Sequence, residues 1–173
     1  MKEGVIIRRM IKADIEHISQ AFIHQGWPGR EDILTSYFQE QENRERDVLV
    51  AESDGFVAGY ITILPVAKHG PFVGVYPELS DFNVFELFRN RGIGNQLLEE
   101  AEKRVRLLSE IVTLGVGLHS GYGPAQRLYV KRGYIPDGSG IWFRDRPLAP
   151  YSSCENNDDL VLYFSKRLNR EIQ

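Results

Sequence analysis

Two glycines and two arginines form the part of this chain whose residue types are best suited to chemistry. Arg89 and Arg91 precede Gly92 and Gly94, so the segment reads Arg-x-x-Gly-x-Gly. An amphipathic helix is predicted to follow, over residues 95–108. The first amides of a helix lack helical partners, the helix dipole favours negative charge there, and glycine allows close backbone approach. The segment therefore predicts a site for a phosphate-bearing molecule.

Two familiar nucleotide motifs are missing from this segment. A P-loop requires a Gly-Lys-Ser/Thr end, which the chain lacks. A dinucleotide fingerprint requires a third glycine, but Leu97 stands at that position. A later Gly115-x-Gly117 pair fails in the same way. These departures disfavour nucleotides as the ligand.

Composition limits the class of protein. The 173 residues are 42% hydrophobic and 26% charged, which are globular values. A net charge of -3 gives no general attraction to nucleic acid. The lone Cys154 excludes an intrachain disulfide and a cysteine-rich zinc site. The N-terminal apolar run is too short for a signal peptide, and no segment approaches a membrane span, so we expect a cytoplasmic protein without membrane, nucleic-acid or metal partners.

Periodicity and turn residues predict the order β-α-α-β-β-β-α-β-α-β-β, a mixed sheet with helices on both faces. Asp32 is the predicted cap of the second helix, and Ser53–Gly55 predicts a hairpin turn. The stretch 137–159 is predicted to be irregular, with a turn at 137–140. The predicted strands are 5–8, 47–52, 56–64, one beginning at 72–76, 79–85, 111–116, one beginning at 134–136, and 160–165; the predicted helices lie near 15–22, 32–41, 95–108 and 124–132.

The long helix after Gly94 shows a clear apolar face. Its predicted inner stripe and its outer ion pairs follow helical spacing. The stripe is Ile93, Leu97, Ala101, Val105 and Leu108, and the pairs are Glu99–Lys103, Glu100–Arg104 and Glu102–Arg106.

Two segments together resemble a known family. The run from Asp81 to Gly94 resembles motif A of the GNAT superfamily of N-acetyltransferases, and the run from Ala125 to Tyr134 resembles its motif B. The resemblance covers about residues 5–165. It implies the α/β GNAT fold: a mixed, mostly antiparallel sheet, helices on both faces, and a splayed strand that leaves a cleft for acyl-CoA. We predict one N-acetyltransferase domain over residues 1–173.

The resemblance implies acetyl-CoA as co-substrate. Backbone amides of one loop would hold the pyrophosphate, with charge added by Arg89 and Arg91. The strand before that loop would pair with the pantetheine arm, and the Val84 N–H would polarise the thioester carbonyl. The implied cofactor-binding residues are Phe82, Asn83, Val84, Arg89, Asn90, Arg91, Gly92, Ile93, Gly94 and Asn95.

Acetylation of an amine requires a base and is helped by an acid. An alkylamine has a pKa of about 10.4 and must lose its proton, whereas the leaving thiolate takes one up. Tyr129 stands where family members carry a tyrosine near the cofactor sulfur, so it is the candidate acid. Glu78 shares strand parity with Val84 and is one candidate base. Asp81 is a second if a bulge intervenes, and a water chain is a third possibility.

The acceptor side is less determined. Trp27, in a loop that forms one wall of this fold, and Trp142, in the irregular stretch, are candidate acceptor contacts. Glu86 replaces a common proline, and Tyr122 stands where an asparagine often contacts the cofactor.

We predict transfer to a primary amine of a small molecule or protein by direct attack in a ternary complex, by a monomer or homodimer. The alternative is a non-catalytic CoA-binding or regulatory module.

Overall fold

The computed structural model describes residues 4–169; residues 1–3, which begin the N-terminal run considered above, and residues 170–173 lie outside the described part. The described residues form a mixed α/β fold. Its helices are α1 Asp14–His24, α2 Glu31–Glu42, α3 Ile93–Arg106 and α4 Gly123–Lys131. Its strands are β1 Ile6–Arg9, β2 Asp47–Ser53, β3 Phe56–Leu64, β4 Glu78–Val84, β5 Ile111–Gly117, β6 Ile135–Phe143, β7 Arg146–Pro147 and β8 Leu160–Arg167.

The strands join in one open sheet in the order β1-β2-β3-β4-β5-β8-β6-β7. Its antiparallel pairs include β1–β2, β2–β3, β5–β8, β6–β8 and β6–β7. The β4–β5 pair is parallel, with Glu78 opposite Thr113 and Leu79 opposite Leu114. The prediction of a mixed, mostly antiparallel sheet is therefore confirmed.

The chain divides into two compact units within β4. The first comprises Met1–Leu64 and Ser80–Arg104, and the second comprises Pro65–Leu79 and Val105–Gln173. β4 thus contributes its last five residues to the first unit and its first two to the second. One domain over 1–173 stays a prediction.

In the first unit, the β2–β3 hairpin forms as the sequence indicates. Asp54 and Gly55 connect the strands with φ of 55° and 78°, the left-handed values that a two-residue type I′ turn requires. The core between the hairpin and the helices is apolar and closely packed. Its buried members are Met10, Ile18, Phe22, Leu34, Val48, Val50, Tyr60 and Phe85.

Two helix predictions need correction. Asp32 is not the cap of α2, because the helix begins at Glu31 and Asp32 lies in its first turn, where a carboxylate suits the helix dipole. Leu108 is not part of the α3 stripe: α3 ends at Arg106 and Leu108 is 62% exposed. The other stripe residues, Ile93, Leu97, Ala101 and Val105, are buried.

The second unit departs from the sequence prediction in two places. Residues 72–76 form turns rather than a strand start, and Val73 and Val75 are exposed. Residues 137–140 do not end a strand: β6 runs through them with a register shift between Pro136 and Ile141. A bulge of this kind accommodates Gly138 and Gly140 within the β6–β8 pairing. Residues that are typical of a turn therefore lie inside a strand here.

Candidate functional site

The loop before α3 has the backbone geometry of an anion site. Asn90 and Gly92 both adopt left-handed conformations, with φ of 60° and 78°. The first helical hydrogen bond of α3 runs from the Gln96 N–H to the Gly92 carbonyl oxygen, at 3.2 Å. The amides from Ile93 to Asn95 therefore precede the helical ladder and head a helix dipole. This arrangement fits a pyrophosphate.

Arg89 is fixed at the base of this loop. Its Nε donates to the Val84 carbonyl oxygen at 3.2 Å, which ties the loop to the end of β4. Its Nη1 lies 3.9 Å from Oε1 of Glu86, and both side chains are more than half exposed. An exposed pair at that distance is weak, so the Arg89 guanidinium can turn to another anion.

Arg91 faces a cavity of the first unit. The cavity measures about 860 Å³, within the range of small-ligand sites. The guanidinium of Arg91 stacks 5.3 Å from the Phe88 ring and lies 3.7 Å from Asp54 Oδ2. Apolar side chains of Phe56, Phe85 and Leu87 add to the wall. Arg91 therefore lies against an aromatic and an acidic neighbour while its side chain stays 52% exposed.

The end of β4 lies unusually close to β3. A side chain on Gly59 would collide with the carbonyl oxygen of Asn83. The Phe85 N–H then donates to the Ala58 carbonyl oxygen at 2.9 Å. The predicted pantetheine-binding backbone, Phe82–Val84, is thus positioned by a glycine on the neighbouring strand.

Asp81 interrupts the extended backbone of β4. Its φ is 47°, a left-handed value that a non-glycine residue in a strand rarely adopts. Residues on either side of such a break do not follow simple alternation. The parity that connected Glu78 with Val84 therefore does not hold across Asp81.

The Asp81 carboxylate is closely bound. Arg30 Nη1 donates to Oδ1 at 2.9 Å, and Arg30 Nη2 lies 2.9 Å from Oδ2. Asn83 Nδ2 donates to Oδ1 at 2.9 Å and to the Tyr60 hydroxyl at 3.2 Å. Arg30 also donates to Tyr60. Because these donors occupy the carboxylate, the contacts favour a positioning role for Asp81 over proton abstraction.

Burial, together with the charges of this network, explains its pKa shifts. Burial raises the pKa of Tyr60 well above its ordinary value, and the negative charge of Asp81 adds to the shift. Burial and then Asp81 raise the pKa of Tyr37 to about 12. Burial disfavours the charged Arg30, but its bond to Asp81 outweighs this and raises its pKa. The ion pair therefore sits beside two neutral phenols at neutral pH.

Tyr129 lies in the second unit, on α4. Its side chain is 7% exposed, and its ring packs edge-on against Tyr134 at 5.8 Å. Burial, with a smaller contribution from Tyr122, raises the pKa of Tyr129 far above neutrality. The phenol is therefore protonated at neutral pH, as an acid must be before it acts.

Glu78 also lies in the second unit, where β4 pairs with β5. Its negative charge acts on Tyr163: burial first, then Glu78 and Asp145, raise the pKa of that phenol to about 12. Asp145 accepts from the Gly70 N–H at 2.7 Å and contacts His69. Glu78 thus lies in the second unit near a second carboxylate, Asp145, and an aromatic ring, Tyr163.

Asp158 contacts two residues that lie just before α4, Tyr122 and His119. The Tyr122 hydroxyl donates to Asp158 Oδ1 at 2.8 Å, and His119 Nε2 lies 3.1 Å from the same oxygen. These two hydrogen bonds, with Tyr122 first, lower the pKa of Asp158. Tyr122 and His119 therefore share a structural partner in Asp158.

The two candidate acceptor tryptophans differ in surroundings. Trp27, in the first unit, is 62% exposed between α1 and α2. Trp142, in the second unit, donates from Nε1 to Ser139 Oγ at 2.8 Å and packs edge-on against Tyr163 at 5.6 Å. Both stay predicted acceptor contacts.

Sequence reasoning missed Arg30, Tyr60 and Gly59. Arg30 follows a glycine in a helix-breaking loop, Tyr60 reads as a core strand residue, and Gly59 reads as a weak point in a strand. The left-handed Asp81 carried no sequence signal beyond its type, since aspartate tolerates such a conformation better than most residues.

The described residues contain neither a membrane-spanning helix nor a metal-binding cluster. None of their helices is long and apolar enough to cross a membrane. Over residues 4–169, no group of three or more His, Cys, Asp or Glu side chains is arranged to hold a metal ion.

Comparison with known proteins identifies a family. The family model described as Acetyltransferase (GNAT) family matches residues 13–134, more than half of the chain. No curated protein sequence matches the chain.

Solved structures share the fold at low sequence identity. The N-acetyltransferase from Staphylococcus aureus Mu50 has a TM-score of 0.71 and 17% identity, over 96% of this chain and 100% of that one. The protein yncA from Salmonella typhimurium, solved with its cofactor acetyl-CoA, has a TM-score of 0.69 and 18% identity, over 99% and 98%. The ribosomal-protein-alanine N-acetyltransferase from Brucella melitensis has a TM-score of 0.69 and 21% identity, over 94% and 99%.

The family model covers the loop before α3, and the solved structures share the fold that carries this loop. Acetyl-CoA is the acetyl donor of this family, so the predictions of family, fold and cofactor are confirmed. The chain therefore belongs to the GNAT family of acetyltransferases.

Proposed function

We propose that this protein transfers the acetyl group of acetyl-CoA to a primary amine by direct attack in a ternary complex. The observation that carries the proposal is the loop Arg89–Asn95, in which two left-handed residues lead from β4 into the N-terminus of a 14-residue helix. In a GNAT chain this is the place for the cofactor pyrophosphate.

The residues that would hold acetyl-CoA fit its parts. Backbone amides from Asn90 to Asn95 suit the pyrophosphate, and Arg89 adds an exposed positive charge. The backbone of Phe82–Val84 suits the amides of the pantetheine arm, with the Val84 N–H directed to the thioester carbonyl. When bound, the cofactor supplies an activated acetyl group as a thioester.

Tyr129 is proposed as the acid that protonates the departing thiolate. Its buried phenol is protonated at neutral pH and so has a proton to donate, although burial makes that proton harder to release. The leaving thiolate, with a pKa near 8.5 in water, is the group that would accept the hydrogen bond or the proton.

Glu78 is proposed as the residue that receives the amine proton, directly or through water. Asp81 is the weaker alternative, because its carboxylate is paired with Arg30 and its Oδ1 already accepts from both Arg30 and Asn83. A chain of water molecules without a protein base is the third possibility. The acceptor is an amine of a small molecule or a protein, with Trp27 and Trp142 as proposed contacts.

Calorimetry and thiol release together test the proposal. We expect the purified protein to bind CoA in a calorimetric titration and to release free thiol from acetyl-CoA when a panel of small amines and peptide N-termini is added. Absence of CoA binding would contradict the proposal. Binding without release on any acceptor would instead favour the non-catalytic CoA-binding module.

The kinetic pattern tests direct attack separately. Initial rates at varied acetyl-CoA and varied amine should give intersecting lines in double-reciprocal plots, because both substrates are bound before transfer. Parallel lines would indicate an acyl-enzyme and would overturn the ternary-complex mechanism.

A further inference from the structure

The ion pair Arg30–Asp81 connects two segments that are 51 residues apart in sequence. Arg30 ends the connection between α1 and α2, and Asp81 is the irregular residue of β4. The pair is largely shielded from solvent, with side chains 25% and 15% exposed. Because the guanidinium of Arg30 contacts both carboxylate oxygens of Asp81, the pair fixes the relative orientation of the two side chains, which a single contact would not do.

The backbone at Asp81 needs such support. A left-handed non-glycine residue inside a strand is unfavourable and persists only where its surroundings hold it. Here the side chain of that same residue is held by Arg30 and Asn83, with the buried Tyr60 hydroxyl between them. The network therefore acts on the residue whose conformation is strained.

The residues after Asp81 are held from the other side as well. Gly59 leaves room for the Asn83 carbonyl, and the Ala58 carbonyl accepts from the Phe85 N–H. The β2–β3 register shifts at this point, since Ala51 lies opposite Gly59 but Glu52 lies opposite Val57. Phe82–Val84 is thus bracketed by the ion pair at one end and by an irregular β3 at the other.

We propose that Arg30 and Asp81 are positioning residues for acetyl transfer: their ion pair maintains the left-handed break in β4 and thereby the direction of the Phe82–Val84 amides. This inference rests on the proposed function of those amides. Neither side chain is assigned a contact with a reacting atom.

Loss of the pair should affect turnover more than cofactor binding. The pyrophosphate loop lies beyond Val84 and depends on α3, so its affinity for CoA should survive. A small misplacement of the groups near the reacting carbonyl can lower a rate on the order of 100-fold. Because Phe82–Val84 is also the proposed partner of the pantetheine arm, the expected signature is a large loss of kcat with a much smaller rise in the CoA dissociation constant.

The chain provides a matched control in Arg8–Asp14. Arg8 Nη1 lies 2.7 Å from Asp14 Oδ2, and Nη2 donates to Oδ1 at 2.9 Å. This pair is also shielded, lies in the same unit, and connects β1 with α1, but it has no contact with β4 in the described network. Its replacement shows the general effect of removing a shielded Arg–Asp pair, together with the contact of Arg8 Nε with Glu52 Oε2 at 3.0 Å.

The experiment compares R30M, R30K and D81N with R8M and R8K in the full chain, well below each melting temperature. We expect R30M to lower kcat on the order of 100-fold, with R30K between it and wild type because lysine keeps the charge but not the fork. CoA affinity, measured by calorimetry, should stay close to wild type. R8M and R8K should keep kcat.

Amide hydrogen exchange gives a readout that does not require turnover. Exchange of the Phe82–Val84 amides should be faster in R30M and D81N than in R8M. Unchanged kcat and exchange in R30M would overturn the inference, as would equal losses of kcat and stability in R30M and R8M. Wild-type protein that binds no CoA would contradict the proposed function instead, and the exchange data would still decide whether the pair holds β4.

Discussion

At the scale of single residues, Tyr129 shows how an environment sets a protonation state. A solvent-exposed tyrosine has a pKa near 10, whereas burial on α4 raises that of Tyr129 far higher. Such a phenol is a weak acid that keeps its proton through the neutral range. Its type and position are visible in the sequence, but its burial follows from the packing of α4 against Tyr134.

Tyr129→Phe should lower kcat about 100-fold while preserving the fold. The substitution removes the hydroxyl and keeps the ring that packs against Tyr134, and general acid catalysis typically contributes a factor of this size or more. Steady-state kinetics with saturating acetyl-CoA measure the change.

Tyr134→Phe is the control for that variant, because it removes another buried phenol, 1% exposed, from the same cluster. It should lower stability by about 1 kcal/mol and leave kcat nearly unchanged. Equal kcat in Tyr129→Phe and wild type would remove Tyr129 from the proposed mechanism.

At the scale of elements, local sequence patterns predicted helix α3 and the β2–β3 hairpin. The 3.6-residue period of Ile93, Leu97 and Ala101 predicts α3, and its outer pair Glu99–Lys103 forms at 3.3 Å. The predicted hairpin turn at Asp54–Gly55 also forms. Such a turn requires positive φ at both central residues, and aspartate and glycine tolerate that conformation. Predictions failed where apolar residues did not reach a core, as at Val73 and Val75, which are exposed in turns.

Gly92→Ala should raise the KM for acetyl-CoA about tenfold, equivalent to about 1.4 kcal/mol. A Cβ at Gly92 meets nothing within 4 Å, but the φ of 78° is unfavourable for alanine. Relaxation of this strain, about 1 kcal/mol, should turn the amides that lead into α3 away from the pyrophosphate. The measurement is KM together with the CoA dissociation constant.

Gly55→Ala is closely matched to that variant, since Gly55 also has a φ of 78° and open space around its Cβ position. It should cost similar stability without a change in KM. A KM increase of the same size in both variants would mean that general destabilisation, rather than the loop, is responsible.

At the scale of the whole molecule, the boundary between the two units falls inside β4, between Leu79 and Ser80. Residues of one strand therefore belong to both units. We expect the chain to unfold as one cooperative domain.

The two tryptophans allow a direct measurement, because Trp27 lies in one unit and Trp142 in the other. The single-tryptophan variants W27F and W142F should give coincident urea unfolding curves by fluorescence, matching the curve from circular dichroism. Separate midpoints within one variant, or different slopes for the two reporters, would show that the units unfold independently and would contradict the single-domain prediction.

Short-range features are readable in the amino-acid sequence: the Asp54–Gly55 turn, the amphipathic α3, and the Arg-x-x-Gly-x-Gly segment between β4 and α3. These are encoded by neighbours within a few residues, so period and residue type suffice to find them. The meeting of Arg30, Tyr60 and Asp81, and the room that Gly59 leaves for Asn83, appear only in the folded chain. Such contacts depend on which strands become neighbours and where their registers shift, and no local pattern in the chain records that outcome.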